Sequence, residues 1–200
     1  MSETAAPEDI ETLAAEVRAC RHCVEALPHE PRPVLQVSSG ARIGVFGQAP
    51  GNLVHLSGRP FTDPSGVRLR QWMGVSDAEF YDGGRIAIIP MGFCFPGYDA
   101  KGGDLPPRKE CADLWRARLM AALPDLDLML LVGSYAQKWH LGQEARRTLT
   151  DTVANWSAYG PRLVPLPHPS WRNNGWIKKH PWFETELVPY VQARVRHLLA

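Results

Sequence analysis

Four cysteines and four short loops carry most of the chemistry open to this 200-residue chain. Cys20-Arg21-His22-Cys23 is a Cys-x2-Cys pair, and two intervening residues let both thiolates turn toward one metal ion or cluster. Cys94 and Cys111 would complete a set of four. The same residues also read as a chance pair plus two small apolar core side chains. Ligand type alone does not separate zinc from an iron–sulfur cluster. Gly47-Gln48-Ala49-Pro50-Gly51 is a tight turn whose backbone can approach a ligand closely. The stretch from Gly58 to Gly66 holds an aromatic ring (Phe61), a carboxylate (Asp63) and a helix start, so Asp63 reads both as a reactive group and as an N-cap. Gly92 to Tyr98 surround Cys94, and His168-Pro169-Ser170-Trp171-Arg172-Asn173-Asn174 gathers an imidazole, a hydroxyl, a guanidinium and two amides.

The elements that must position these loops alternate. Apolar β-rich runs at 42–46, 85–91, 126–132 and 162–166 predict four strands. Helical spacing or capping signals predict helices over 7–23, 65–73, 108–123, 134–141 and 182–199, the first opened by Pro7. Residues 24–40 hold Pro28, Pro31, Pro33 and Gly40 and read as an extended loop. Trp182 and Phe183 are expected to pack the last helix on the core. Strands alternating with helices predict an α/β protein, a three-layer α/β/α fold around a four-stranded parallel sheet. Ligands of such open sheets bind beyond the carboxyl ends of the strands, which is where these loops fall.

Hydrophobic residues make up 44% and charged residues 22% of the chain, which excludes disordered, collagenous and coiled-coil classes. The length predicts a single domain over 1–200. The longest apolar run, 128–132, is far short of a membrane span, and the N-terminal residues are acidic where a secretory signal is basic. Together these predict a soluble cytoplasmic protein with no membrane partner. Net charge is +1, but residues 1–30 carry seven acidic and two basic side chains while residues 162–200 carry six basic and two acidic ones. The basic end suits either a phosphate backbone or a solvated helix face.

At this point the chain resembles the uracil-DNA glycosylase superfamily, and most closely its family-four, iron–sulfur branch. GQAPG at 47–51 is similar to that branch's first motif, which usually reads GEAPG. GRPF at 58–61 looks like the segment that supplies the ring stacked on uracil, and HPS at 168–170 is similar to the second motif, whose His contacts the base. Cys20, Cys23, Cys94 and Cys111 fall where the branch's cluster cysteines fall. Three positions depart. Gln48 replaces the usual Glu, Ala49 stands where the best-known branch has a water-activating Asp, and Pro90 stands where family four has an Asn that reads the uracil edge.

The resemblance implies a DNA repair glycosylase that flips a uracil or other deaminated base and hydrolyses its N-glycosidic bond. It implies a 4Fe-4S cluster on the four cysteines, with zinc as the alternative, and a monomer acting on DNA. The expected catalytic residues are His168 on the leaving base, with Asp63 and Gln48 for the water. The expected base-binding residues are Phe61, Gln48, Ala49 and Gly51, with Gly92, Asn173 and Asn174 as edge readers in place of the missing Asn. Ser170, Arg172, Lys178 and Lys179 are expected to meet DNA, with Trp171 and Trp176 as aromatic wedges. Two other readings compete: a protein that binds damage or abasic sites with little turnover, and a hydrolase of free nucleosides.

Overall fold

The computed structural model describes residues 8–200, so Pro7 and the residues before it lie outside the described part. Four parallel strands, β1 (Ile43–Phe46), β2 (Ile86–Ile88), β3 (Leu128–Val132) and β4 (Leu163–Leu166), pair in the order β2-β1-β3-β4. The helices are α1 (Ile10–Ala19), α2 (Asn52–Ser57), α3 (Pro64–Met73), α4 (Asp77–Phe80), α5 (Lys109–Cys111), α6 (Ala117–Ala121), α7 (Ser134–Leu141), α8 (Leu149–Ala154), α9 (Asn174–Lys179) and α10 (Val188–Leu199). This is the expected three-layer α/β/α arrangement. None of these helices is long and apolar enough to cross a membrane.

Alternation along the strands makes the layers. Ile43, Val45, Ile86, Ile88, Leu128 and Leu130 point to one face, where α3 and α10 cover them with Leu69, Met73, Val191 and Val195. Phe46, Ala87, Ile89, Met129 and Leu131 point to the other, under α1, α6 and α7. Because both faces are covered, the strands are buried at nearly every position rather than at every second one. Phe183 is fully buried and meets Trp72 edge-on at 4.8 Å, so the chain before α10 packs as expected.

The differences from the sequence reading have local causes. The second strand ends at Ile88, short of the expected residue 91, although the amides of Ile89 and Met91 still donate to the Val45 and Gly47 carbonyls at 2.9 Å each. Pro165 is tolerated in β4 because β4 is an edge strand. The outer edge of β2 is covered by the proline-rich loop, with Gln36 exchanging backbone hydrogen bonds with Ile88 at 3.0 and 2.7 Å. The first helix begins at Ile10 because Asp9 caps it, accepting from the Thr12 amide at 2.8 Å. The expected helices 108–123 and 182–199 each contain a widened turn, Ala112–Arg116 and Phe183–Leu187. Four short helices went unread. One of them, α4, carries a complete capping box between Ser76 and Glu79 that the sequence displays openly.

Arg116 lies on the widened turn below α6 and is 1% exposed, with no carboxylate partner among the described residues. It donates to the carbonyls of Ile89 (3.3 Å) and Pro90 (2.6 Å), at the end of β2. His140 packs against Phe46 at 4.4 Å, and burial together with the Arg116 charge pushes its pKa down to about 3. An unfolded chain therefore takes up a proton at His140 below about pH 6.5 that the folded chain refuses, so this site's stabilisation is complete above pH 6.5 and lost as pH falls. Between pH 6.5 and 4.5 the wild type should lose about 2–3 kcal/mol more stability than His140→Phe. Urea unfolding of both proteins at the two pH values checks this.

Candidate active site

The turn after β1 and the loop after β4 face each other across a cleft of about 440 Å³, counting its open mouth, at the carboxyl ends of the strands. The cleft opens where the strand order reverses around β1, the expected place for a ligand in an open parallel sheet. Gly47, Gln48, Ala49 and Gly51 form one wall, Phe61 and Asp63 a second, and Pro90 and His168 complete the rim. Of the site residues expected from sequence, Phe61, Gln48, Ala49, Gly51, Asp63 and His168 therefore share one cavity.

Phe61 is held with unusual force. Its φ is +54°, the only positive φ on a non-glycine residue in the described chain, and such a conformation costs on the order of 1–3 kcal/mol. Its carbonyl accepts hydrogen bonds from Arg70 (3.2 Å) and from the Tyr81 hydroxyl (3.1 Å). Gly66 leaves the space that carbonyl occupies: a Cβ at 66 would lie 1.8 Å from the oxygen. Gly47 does the same for the ring, whose tip would stand 3.2 Å from a Cβ there. Behind the ring, Phe80 packs edge-on at 6.1 Å, and the Arg59 guanidinium lies 3.4 Å from the Tyr81 ring centre.

Asp63 fills both roles the sequence allowed. It caps α3, its Oδ1 accepting from the Ser65 hydroxyl (2.7 Å) and the Gly66 amide (3.2 Å), and it also lines the cleft. His168 is largely buried, and burial lowers its pKa below the usual value, the Asp63 charge opposing. The imidazole is thus neutral at pH 7 and keeps one N–H to donate. Asp104 was missed in the sequence. Its carboxylate stands 3.5 Å from where a Cβ on Gly51 would be, and desolvation raises its pKa against the pull of Arg172. Nothing in its own neighbourhood in the chain signals this, because the 97–105 turn reaches the cleft only in the fold.

Other expected residues lie elsewhere. Gly92 is buried, donates its amide to the Gln48 carbonyl (2.9 Å), and presses on Pro107 rather than on the cleft. Asn173 donates its side-chain amide to the His168 carbonyl at 2.7 Å, bracing that loop. Asn174 opens α9 and is exposed. Neither Asn lines the cleft. Ser170 caps the turn after His168, accepting from the Arg172 amide (3.3 Å), while its own carbonyl takes Arg68 (3.0 Å). Arg172, Lys178 and Lys179 are exposed, and Trp171 is 72% exposed beside them. Trp176 is not a free wedge: its indole N–H donates to Thr150 (2.8 Å) and its ring packs on His180, Trp182 and Phe183.

Cys20, Cys23, Cys94 and Cys111 line one narrow space, together with Val17, Phe93 and Trp115, and all four are free thiols. Burial pushes Cys94 up to about 12 and Cys111 up to about 11, each also disfavoured by the neighbouring sulfurs. Among the described residues no group of three or more His, Cys, Asp or Glu side chains is placed to hold a metal ion. Four thiols lining one space are nonetheless the donor type that a thiolate-ligated ion or cluster requires.

Compared with known families, residues 36–192 match the family model described as the uracil DNA glycosylase superfamily. The chain belongs to that superfamily. The matched stretch runs from the edge-covering loop at Gln36 into α10 and includes the cleft residues from Gly47 to His168, while Val34, Cys20 and Cys23 precede it.

Gly66→Ala should displace the Phe61 carbonyl and break both hydrogen bonds that hold it, at a cost of about 2–4 kcal/mol. Thermal unfolding of the variant beside wild type measures the loss, and an unchanged melting temperature would mean the peptide is not held as described.

Proposed function

We propose that the protein is a monomeric DNA glycosylase of the iron–sulfur, family-four type that hydrolyses the N-glycosidic bond of uracil or another deaminated base. The single observation that carries this reading is the shared cleft of Phe61 and His168 in a chain of the uracil DNA glycosylase superfamily. A base inside a duplex must be extruded, at a cost of a few kcal/mol of stacking and pairing. Phe61, locked in position before any base arrives, supplies the opposing stacking surface without further ordering.

As the bond lengthens, negative charge grows on the base and positive charge on the sugar. His168, neutral and desolvated, donates to the base oxygen that takes the charge. Such a donor in a water-poor site contributes about 3–4 kcal/mol to lowering the barrier. Asp63 has Oδ2 left over from its capping bonds, so it can accept a proton from the attacking water and favour the cationic sugar. Ala49 has no group for that task. Pro90 has no side-chain donor or acceptor for the base edge, and its carbonyl already accepts from Arg116. The side-chain amide of Gln48, with both donors and acceptors, is the base-edge reader on the cleft wall. Arg172, Lys178 and Lys179 meet phosphates and make binding salt-dependent. Cys20, Cys23, Cys94 and Cys111 would hold a 4Fe-4S cluster, which braces the chain after β2; hydrolysis needs no electron transfer.

A second reading, a binder of damaged or abasic DNA with little turnover, is favoured by Ala49 and Pro90. One assay separates the two. Incubation with a uracil-containing oligonucleotide followed by alkali should give strand cleavage, whereas a stable shifted complex without cleavage supports the binder. His168→Ala should slow excision about 100–1000-fold. On acidification the wild-type rate should fall at a lower pH than the titration of an ordinary imidazole would dictate, because burial holds the His168 pKa down. Asp63→Asn keeps the cap and should lose rate without losing stability; full activity would make Asp63 a cap alone.

Protein purified without oxygen should be brown, with absorbance near 400 nm and bound iron. A colourless, iron-free protein would count against the cluster.

A further inference from the structure

On the far side of the strip of chain that walls the cleft lies a second groove of about 1010 Å³, counting its open mouth. The two are joined through the backbone: Pro90 lines the cleft, and the next residue, Met91, lines the groove. Gly92 fixes this strip, its amide bonded to the Gln48 carbonyl, and a Cβ at 92 would stand 3.0 Å from Pro107, which also lines the groove. Across the groove, α7 presents Tyr135 and Trp139, one helical turn apart and 39% and 42% exposed. Trp139 is braced from within the protein, its ring edge-on to His140 at 4.7 Å and 5.7 Å from the Arg116 guanidinium. Lys109 and Lys138 stand exposed on opposite walls, and neither forms an ion pair among the described residues. Arg108 is paired with Glu110 at 2.5 Å, and Asp113 is the only acidic residue on the lining.

We infer that this groove is a second DNA subsite, which takes an unpaired nucleotide of the strand that carries the extruded base. The inference rests on the glycosylase reading above. Flat aromatic surfaces with an apolar opposite wall suit the face of a nucleobase, and two free ammonium groups flanking them suit the phosphates on either side. A paired base keeps both faces stacked inside its duplex and has none to offer, so the occupant is single-stranded. The groove lies next to the cleft across the Pro90–Met91 strip, within reach of the same strand. Trp139 and Tyr135 then act as a platform for a neighbour of the extruded nucleotide, and the protein gains affinity for uracil in frayed, gapped or single-stranded DNA.

The test is binding of a dye-labelled 12-nucleotide strand without uracil, followed by fluorescence anisotropy, beside a duplex of the same sequence. Trp139→Ala should weaken single-strand binding about 5–100-fold and leave duplex binding within about twofold. Trp139→Phe should restore most of the affinity. Lys109→Gln with Lys138→Gln should reduce the slope of log affinity against log salt for the single strand by about 1.4, since each phosphate left without its ammonium partner lowers the slope by about 0.7. Circular dichroism and melting temperature confirm that the variants are folded. If wild type excises uracil but Trp139→Ala binds the single strand as wild type does, or loses duplex affinity equally, the subsite is overturned and the glycosylase reading stands. If wild type neither binds DNA nor excises uracil, the glycosylase reading itself has failed.

Discussion

The peptide between Phe61 and Thr62 is held in a conformation that an aromatic residue ordinarily avoids. Two donors, the Arg70 guanidinium and the Tyr81 hydroxyl, converge on its carbonyl from α3 and from the end of α4, and Gly66 supplies the space for it. The ring follows from the peptide. Once φ is positive, the side chain is swung toward Gly47 and the end of β1, where it faces Pro90 and His168 across the cleft. Arg70 is itself fixed by Asp77 at 2.7 Å, and Asp63 caps the helix that carries Arg70. A cap, an ion pair and a missing Cβ thus combine to offset local strain of a few kcal/mol.

The neighbourhood of the cleft is also unusual in its charge. Three basic side chains are desolvated near the ends of β2 and β4, and no carboxylate pairs with Arg116 or His140 among the described residues. Each responds in the direction that burial dictates. The two histidines lose affinity for a proton, and Arg116 falls to about 9. For His168 this keeps the imidazole a neutral donor. For Arg116 it leaves a guanidinium whose two terminal nitrogens donate to carbonyl oxygens, one of them on Pro90 at the cleft wall, while Nε is buried without a partner.

The cysteine site and the cleft share the chain that follows β2. Pro90 lines the cleft, Met91 the neighbouring groove, and Phe93 and Cys94 the space among the thiols. A group bound by the four cysteines would tether this segment to α1 and α5 at once. Loss of such a group should therefore loosen the back wall of the cleft before it touches the chemistry.

Much of this was legible in the sequence, for reasons that are local. Apolar runs separated by helical periods dictated a parallel sheet, because such strands must be covered on both faces. Gly-Pro punctuation after the first strand and the His-Pro-Ser segment after the fourth marked the loops that such a sheet brings to one end. Asp63 was legible as a cap and Phe61 as a ring beside it. What the sequence could not decide was which of the polar side chains on those loops look inward. Asn173 and Asn174 stand beside His168 in the chain, yet one is spent on a carbonyl of its own loop and the other faces solvent. Asp104 and Arg116 lie far from every motif and reach the cleft or its back wall only through the packing of distant segments. Short-range spacing determines an element and its exposed face, whereas burial, desolvation and hydrogen-bond competition are set by neighbours distant in the chain, so they were decided by the tertiary structure alone.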